Sequence, residues 1–202
     1  MPTRSFETVL SPPLVVRPVT EIRSALLLSS VQTLRSRGHF EAYRTRIDPA
    51  HRDAILATSA PSWLPIGIAM AHYEACDALG LDAKEMKAMG GMVGARINST
   101  FLKAIAEGVR FAGVTPWTLL GHFRGLWARL FQGGSIAIGR VSAKECVVEV
   151  RGLPLVRYEY ARIAFTGIIG RAIEFGGGPG ALVKVLECDP AEGEITFEGT
   201  WP

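Results

Sequence analysis

Cysteine is scarce: three residues, Cys76, Cys146 and Cys188, stand far apart in apolar surroundings. That scarcity excludes a disulfide framework, and without a CxxC pair it offers no four-ligand zinc site. His72 and Cys76, four apart on a predicted helix, supply two ligands at most, so no metal is expected. No charged n-region, apolar h-region and cleavage site open the chain, and the apolar run Ala25–Leu28 is far too short to span a bilayer. The expectation is a soluble cytoplasmic protein. There is no G-x-S-x-G and no ordered Ser/His/Asp set, so no catalytic residue is assigned and the protein is read as a non-enzyme. "EFGGGPG" at 174–180 has no following Lys-Ser/Thr and ends a helix where a phosphate loop must begin one.

Charge of either sign is modest, at a formal +3, and its distribution says more. Residues 1–46 hold seven Arg against three Glu, leaving the remainder near neutral. Scattered arginines of this kind make a solvated face, and no nucleic-acid partner is expected.

The chain does have enough apolar content for one substantial core: 202 residues, 48% hydrophobic. Four prolines fall in the first 18 residues, where they remove backbone donors and fix φ, so 1–19 reads as a flexible N-terminal arm and 20–202 as a single domain. Thr20 is a candidate N-cap for a first helix that Gly38 ends. Asp48-Pro49 starts a second, and Pro65 precedes a third running to Gly80. Asp82 caps a long helix to about Phe111 despite Gly90, Gly91 and Gly94, which mark close packing, either within the chain or across a symmetric homodimer. Thr115-Pro116 begins the clearest amphipathic helix, with Leu119, Leu120, Phe123, Leu126, Trp127, Leu130 and Phe131 as its apolar stripe.

Beyond Gly133-Gly134 the period changes from helical to alternating. "SIAIGRV" and "ECVVEVRGL" predict one hairpin, "ALVKVLECD" and "EITFEGTW" a second, with a helix around Ile168, Ile169, Ala172 and Ile173 between them. The fold class is therefore α+β: an N-terminal helical layer packed on one face of an antiparallel sheet formed by a C-terminal ββαββ unit.

The order "SWLPIGIAMAHYEA", a long helix, "LLGHFRGLWARLFQGG", two hairpins around a helix and a terminal Trp201 resembles an uncharacterised family found chiefly in myxobacteria. That family is similar to a wider fold group of haem nitric oxide/oxygen binding domains, four-vinyl reductase domains and transport-particle Bet3 subunits. The resemblance covers about Thr20 to Trp201 and rests on element order more than on motifs. It implies a space between helical layer and sheet that accepts a small hydrophobic ligand, with Trp117, Phe123, Trp127, Tyr158, Tyr160 and Arg162 as candidate ligand-binding residues. "YEYAR" at 158–162 resembles the Tyr-x-Ser-x-Arg signature by which the haem-binding relatives hold propionates, with Tyr160 in place of Ser.

For haem the resemblance further implies an axial histidine on the helix before the hairpins. His122 stands on that helix, about two residues from the implied position, which falls nearer Arg124. No cofactor is therefore expected. The reading is a regulatory or adaptor protein that contacts other proteins, with a haem-based gas sensor and a filled-core interaction scaffold as the alternatives.

Overall fold

The computed structural model describes residues 7–58, 61–108 and 115–202, residues 98–108 through their backbone alone. The C-terminal unit is as the alternation predicts. β5 (Ser135–Ser142) and β6 (Glu145–Arg151) form one hairpin, β7 (Leu182–Asp189) and β8 (Glu194–Thr200) the other, and α8 (Glu159–Phe175) joins them. With a short strand β1 (Glu7–Leu10) at one edge, these strands form, among the described residues, a five-stranded antiparallel sheet in the order β1-β5-β6-β8-β7. Cross-strand partners Ile136↔Val150, Ile138↔Val148 and Val148↔Phe197 set the buried face. Alternate positions such as Glu149 and Thr196 face the other way.

The first strand lies within the segment read as an arm. β1 pairs with β5 at the sheet edge and buries Leu10, so the segment read as a flexible arm contains a short strand. Its partner lies far along the chain, so no local signal marks it.

The start of the first helix also shifts. Glu21–Arg23 is a strand, β2, held between β3 (Trp63–Pro65) and β4 (Phe131–Gln132), so α1 runs Ser24–Ser36 and Thr20 is not its cap. This small sheet ties together the starts of α1 and α4 (Ile66–Asp77) and the end of α7 (Phe123–Leu130). Between them stand α2 (Phe40–Arg46) and α3 (Pro49–Leu56), the latter capped as expected by the Asp48 carboxylate, which accepts from Ala50 N at 2.8 Å.

α5 (Ala83–Gly108) is the long glycine-bearing helix. Its Gly90 and Gly94 pack against Ala164 and Ile168 of α8, inside the same chain. This is the within-chain packing that was one of the two readings of these glycines. α8, with α7 beside it, is what lies on the sheet, and α5 packs on α8. The single amphipathic helix expected after Thr115 is two: α6 (Pro116–Gly121) and α7, which meet at His122. Thr115 and Thr118 form the capping box that starts α6. Among the described residues no helix is long and apolar enough to cross a membrane.

Candidate functional site

α7 presents Phe123, Leu126, Trp127 and Leu130 at i, i+3, i+4 and i+7, and α8 presents Phe165, Ile168, Ile169 and Ala172 at the same spacing. The two stripes face each other over Ile136 and Val150, which are partners across β5 and β6, and Phe131 of β4 closes one end. Between them is a cavity of about 50 Å³, and all eleven described side chains that line it are apolar.

Trp127 is its anchored wall. The indole N–H donates to the Gly133 carbonyl at 2.9 Å, and the ring centroid lies 4.3 Å from that of Phe131. The Gly133-Gly134 turn permits this, because both glycines have positive φ and a Cβ on Gly134 would stand 2.9 Å from Trp127 Cζ2. The lining offers a water no polar partner, which favours an apolar guest, and Leu126, Leu130, Phe165 and Ile168 are only partly buried, so the space is reached from the surface.

Of the candidate residues, Phe123 and Trp127 line this cavity and the other four do not. Trp117 stands at the far end of the sheet, where its N–H donates to the Ala143 carbonyl, its ring packs on Trp201 and the Arg140 guanidinium lies 4.2 Å above it. Tyr160 is fully buried beside Tyr73 and Met89. Tyr158 is half-buried at the start of α8, and Arg162 donates to the Val156 and Arg157 carbonyls at 2.9 and 3.0 Å. Arg162 thus closes the 3-10 turn Pro154–Arg157. A carboxylate reader needs that fork turned outward.

The start of α8 has a partner that sequence inspection missed. The Asp77 carboxylate, at the end of α4, accepts from Tyr160 N at 2.6 Å and from Glu159 N at 3.0 Å. A negative charge here satisfies two orphan donors and meets the positive end of the helix dipole. The only trace in the sequence is an acidic residue at a helix end, where the dipole argues against it.

The helical layer holds a second concentration of chemistry-bearing groups. His72 is buried, with Nδ1 2.5 Å from the Tyr43 hydroxyl and Nε2 2.9 Å from the Ser30 hydroxyl and 3.7 Å from Cys76 Sγ. Whichever ring nitrogen carries the proton donates, and the other accepts. Burial pushes the thiol of Cys76 and the phenols of Tyr43 and Tyr73 up, so all three hold their protons. A protonated, enclosed thiol is a poor nucleophile and a poor metal ligand. Among the described residues no three His, Cys, Asp or Glu side chains converge as a metal site would need.

Burial also pushes the His72 imidazole down to about 3. In the unfolded chain a histidine titrates near pH 6.5, so below that the unfolded state takes up a proton that the folded state refuses until about 3. Stability therefore falls as pH drops through this window, by about 1.4 kcal/mol per pH unit. Glu85 works lower down. Hydrogen bonding from Arg37 holds its carboxyl at about 2, so its stabilisation, present above the usual carboxylate range, is lost as pH falls through about 2. Between pH 7 and 5 the wild type should lose about 2 kcal/mol through His72, a loss that His72→Gln removes. Urea midpoints at the two pH values measure it. An equal pH slope in the variant would mean that His72 takes up its proton while folded.

The residues of the cavity do not fit a haem. Ligand sites of that class need roughly 300 Å³ or more. No histidine, cysteine or tyrosine is among the described side chains lining this one. His122, the candidate axial ligand, is exposed at the junction of α6 and α7 and does not line the cavity.

No protein-family model matches the sequence, and no curated protein is matched by it. Solved structures are matched. The Fe(II) unliganded H-NOX protein from K. algicida, as its A71G mutant, superposes with a TM-score of 0.62 at 8% identity, over 90% of this chain and 97% of that one. An oxygen-binding H-NOX domain related to soluble guanylate cyclases gives 0.56 at 12%, over 88% and 94%. A structure from work on haem distortion in the H-NOX family gives 0.57 at 12%, over 88% and 94%. At such identities the likeness is one of architecture: this chain is built on the fold of the H-NOX domains.

Proposed function

We propose that the chain is a non-enzymatic regulatory or adaptor protein of the cytoplasm, which binds a small apolar molecule between α7, α8 and the sheet and relays the bound state to a protein partner. The observation that carries this reading is the wholly apolar lining of the cavity, placed where helices meet sheet. A site without polar groups selects by size and shape alone. At about 50 Å³ it suits a guest smaller than benzene, which occupies an engineered cavity of roughly 150 Å³. The closed His72 cluster and the raised Cys76 thiol support a role without turnover. Kinship with four-vinyl reductase domains and Bet3 subunits belongs to the same proposal. A haem-based gas sensor is the reading the solved neighbours suggest, and the lining residues weigh against it.

The test is NMR of the protein under xenon pressure. Saturable shifts should appear at the methyls of Ile136, Val150, Ile168 and Ile169. Unperturbed methyls would favour a filled-core scaffold. In parallel, protein expressed with a haem precursor should show no stoichiometric Soret band, and a band abolished by His122→Ala would establish the sensor instead.

A further inference from the structure

A second and larger space lies on the other side of Trp127. The segment 11–19 crosses the surface as a strap that is pinned at both ends. At one end Arg124 Nη2 donates to the Ser11 carbonyl at 2.5 Å. At the other, Gly134 N donates to the Arg17 carbonyl at 2.6 Å and Val19 N to the Gly152 carbonyl at 2.7 Å. Between the pins, Leu14 and Val15 stand 105% and 76% exposed, touching neither α7 nor the sheet closely enough to be covered.

Under the strap is a groove of about 530 Å³, within the range of sites for ligands of drug size. Its floor is Trp127, Ala128 and Ile136, and its rim is Pro12, Pro13 and Leu14. Trp127 and Ile136 also line the internal cavity, so one wall separates the two spaces. Arg124 is the one charged side chain among the described residues lining the groove, and no carboxylate is there to neutralise it. A guanidinium has five N–H donors, of which the Ser11 carbonyl uses one.

We propose that this groove binds a monocarboxylate with an apolar acyl or aryl body, its head on Arg124 and its body along Trp127 and Ile136. Charge and shape both select for that class. A planar carboxylate matches the guanidinium fork, while a dianion would leave one charge against proline and leucine. Leu14 folds inward over the bound body, which removes an exposed apolar side chain from water. The proposal rests on the preceding reading only in that the two spaces share a wall.

Calorimetry on the full chain with octanoate and 1-octanol tests it. Octanoate should bind saturably and up to about fivefold more tightly than the alcohol, as an ion pair on the exposed Arg124 guanidinium implies. Arg124→Met should erase that gap while leaving the xenon shifts of the internal cavity in place, and Arg124→Lys should restore part of it. In wild-type protein, octanoate should also move the Trp127 indole N–H resonance. Equal affinity for acid and alcohol, no binding of either, or a gap that survives Arg124→Met would each overturn the proposal. Xenon binding lost or absent, with the Arg124-dependent gap present, would sink the internal-cavity reading and leave the groove standing.

Discussion

Replacing Trp127 with alanine is expected to destabilise the protein by about 3 to 5 kcal/mol, the range for deleting a large buried aromatic side chain. Three separate contributions meet at this residue. The ring is 8% exposed and forms one wall of the internal cavity, it packs on Phe131, and its N–H satisfies the Gly133 carbonyl. Deleting it joins the internal cavity to the groove beneath the strap, so the void fills with water on one side and loses packing on the other. A denaturant midpoint measures the loss, and the cavity origin can be checked separately. Indole added to the variant should raise its midpoint in a saturable way, because a ligand that binds only the folded state stabilises it by mass action. An unchanged midpoint would mean that the α7 stripe faces solvent as a partner surface.

How far the sequence foretells this site depends on how local each determinant is. The hairpins were legible because alternation is a property of neighbouring residues, and "SIAIGRV"/"ECVVEVRGL" and "ALVKVLECD"/"EITFEGTW" pair as antiparallel hairpins, although the register shifts between Arg140 and Ser142 in one and between Val185 and Glu187 in the other, which alternation does not foretell. Caps were legible where cap and helix adjoin, at Asp48 and Thr115. Phe123 and Trp127 were legible as one face of a helix. What that face would meet was not, since α8 supplies the opposing stripe and its own pattern does not say which neighbour it serves.

The unread elements are those whose partners are distant. β1 pairs with β5, and β2 lies between β3 and β4, in strands of two to four residues that are too short to display a period. Asp77 caps a helix that begins 82 residues later. "YEYAR" shows the converse limit. The resemblance placed a carboxylate reader there, but Arg162 is committed to two carbonyls of its own turn and Tyr160 is sealed in the core. A likeness in letters does not fix where the donors turn. His72 and Cys76 share a helix face as their spacing implies, but burial and the Tyr43 and Ser30 hydroxyls make them a neutral packing cluster.

The contact of α5 with α8 carries the other large expected effect. Gly90→Ala should cost about 3 kcal/mol, although alanine in a helix interior is itself favoured over glycine by about 1 kcal/mol. The reason is what the new Cβ meets: Ala164 O at 2.0 Å and Ala164 Cα at 2.7 Å, both backbone atoms that cannot rotate aside. The helices must move apart, and α8 is fixed on its far side by the sheet. Gly91 is the internal control. Its Cβ would find only Gly167 O at 3.8 Å, an ordinary contact, so Gly91→Ala should be neutral or stabilising by up to about 1 kcal/mol. Two adjacent glycines in one helix are thus expected to respond with opposite sign. Gly167→Ala should resemble Gly90→Ala, since its Cβ would stand 2.1 Å from Lys87 O. The double variant Gly90→Ala, Gly167→Ala should lose less than the sum of the two singles, because separating the helices for one methyl makes room for the other. Thermal and urea denaturation of the wild type and the four variants decide it. Were Gly90→Ala as stable as Gly91→Ala, the helices would not approach to backbone contact, and the packing of α5 on α8 would have to be redrawn.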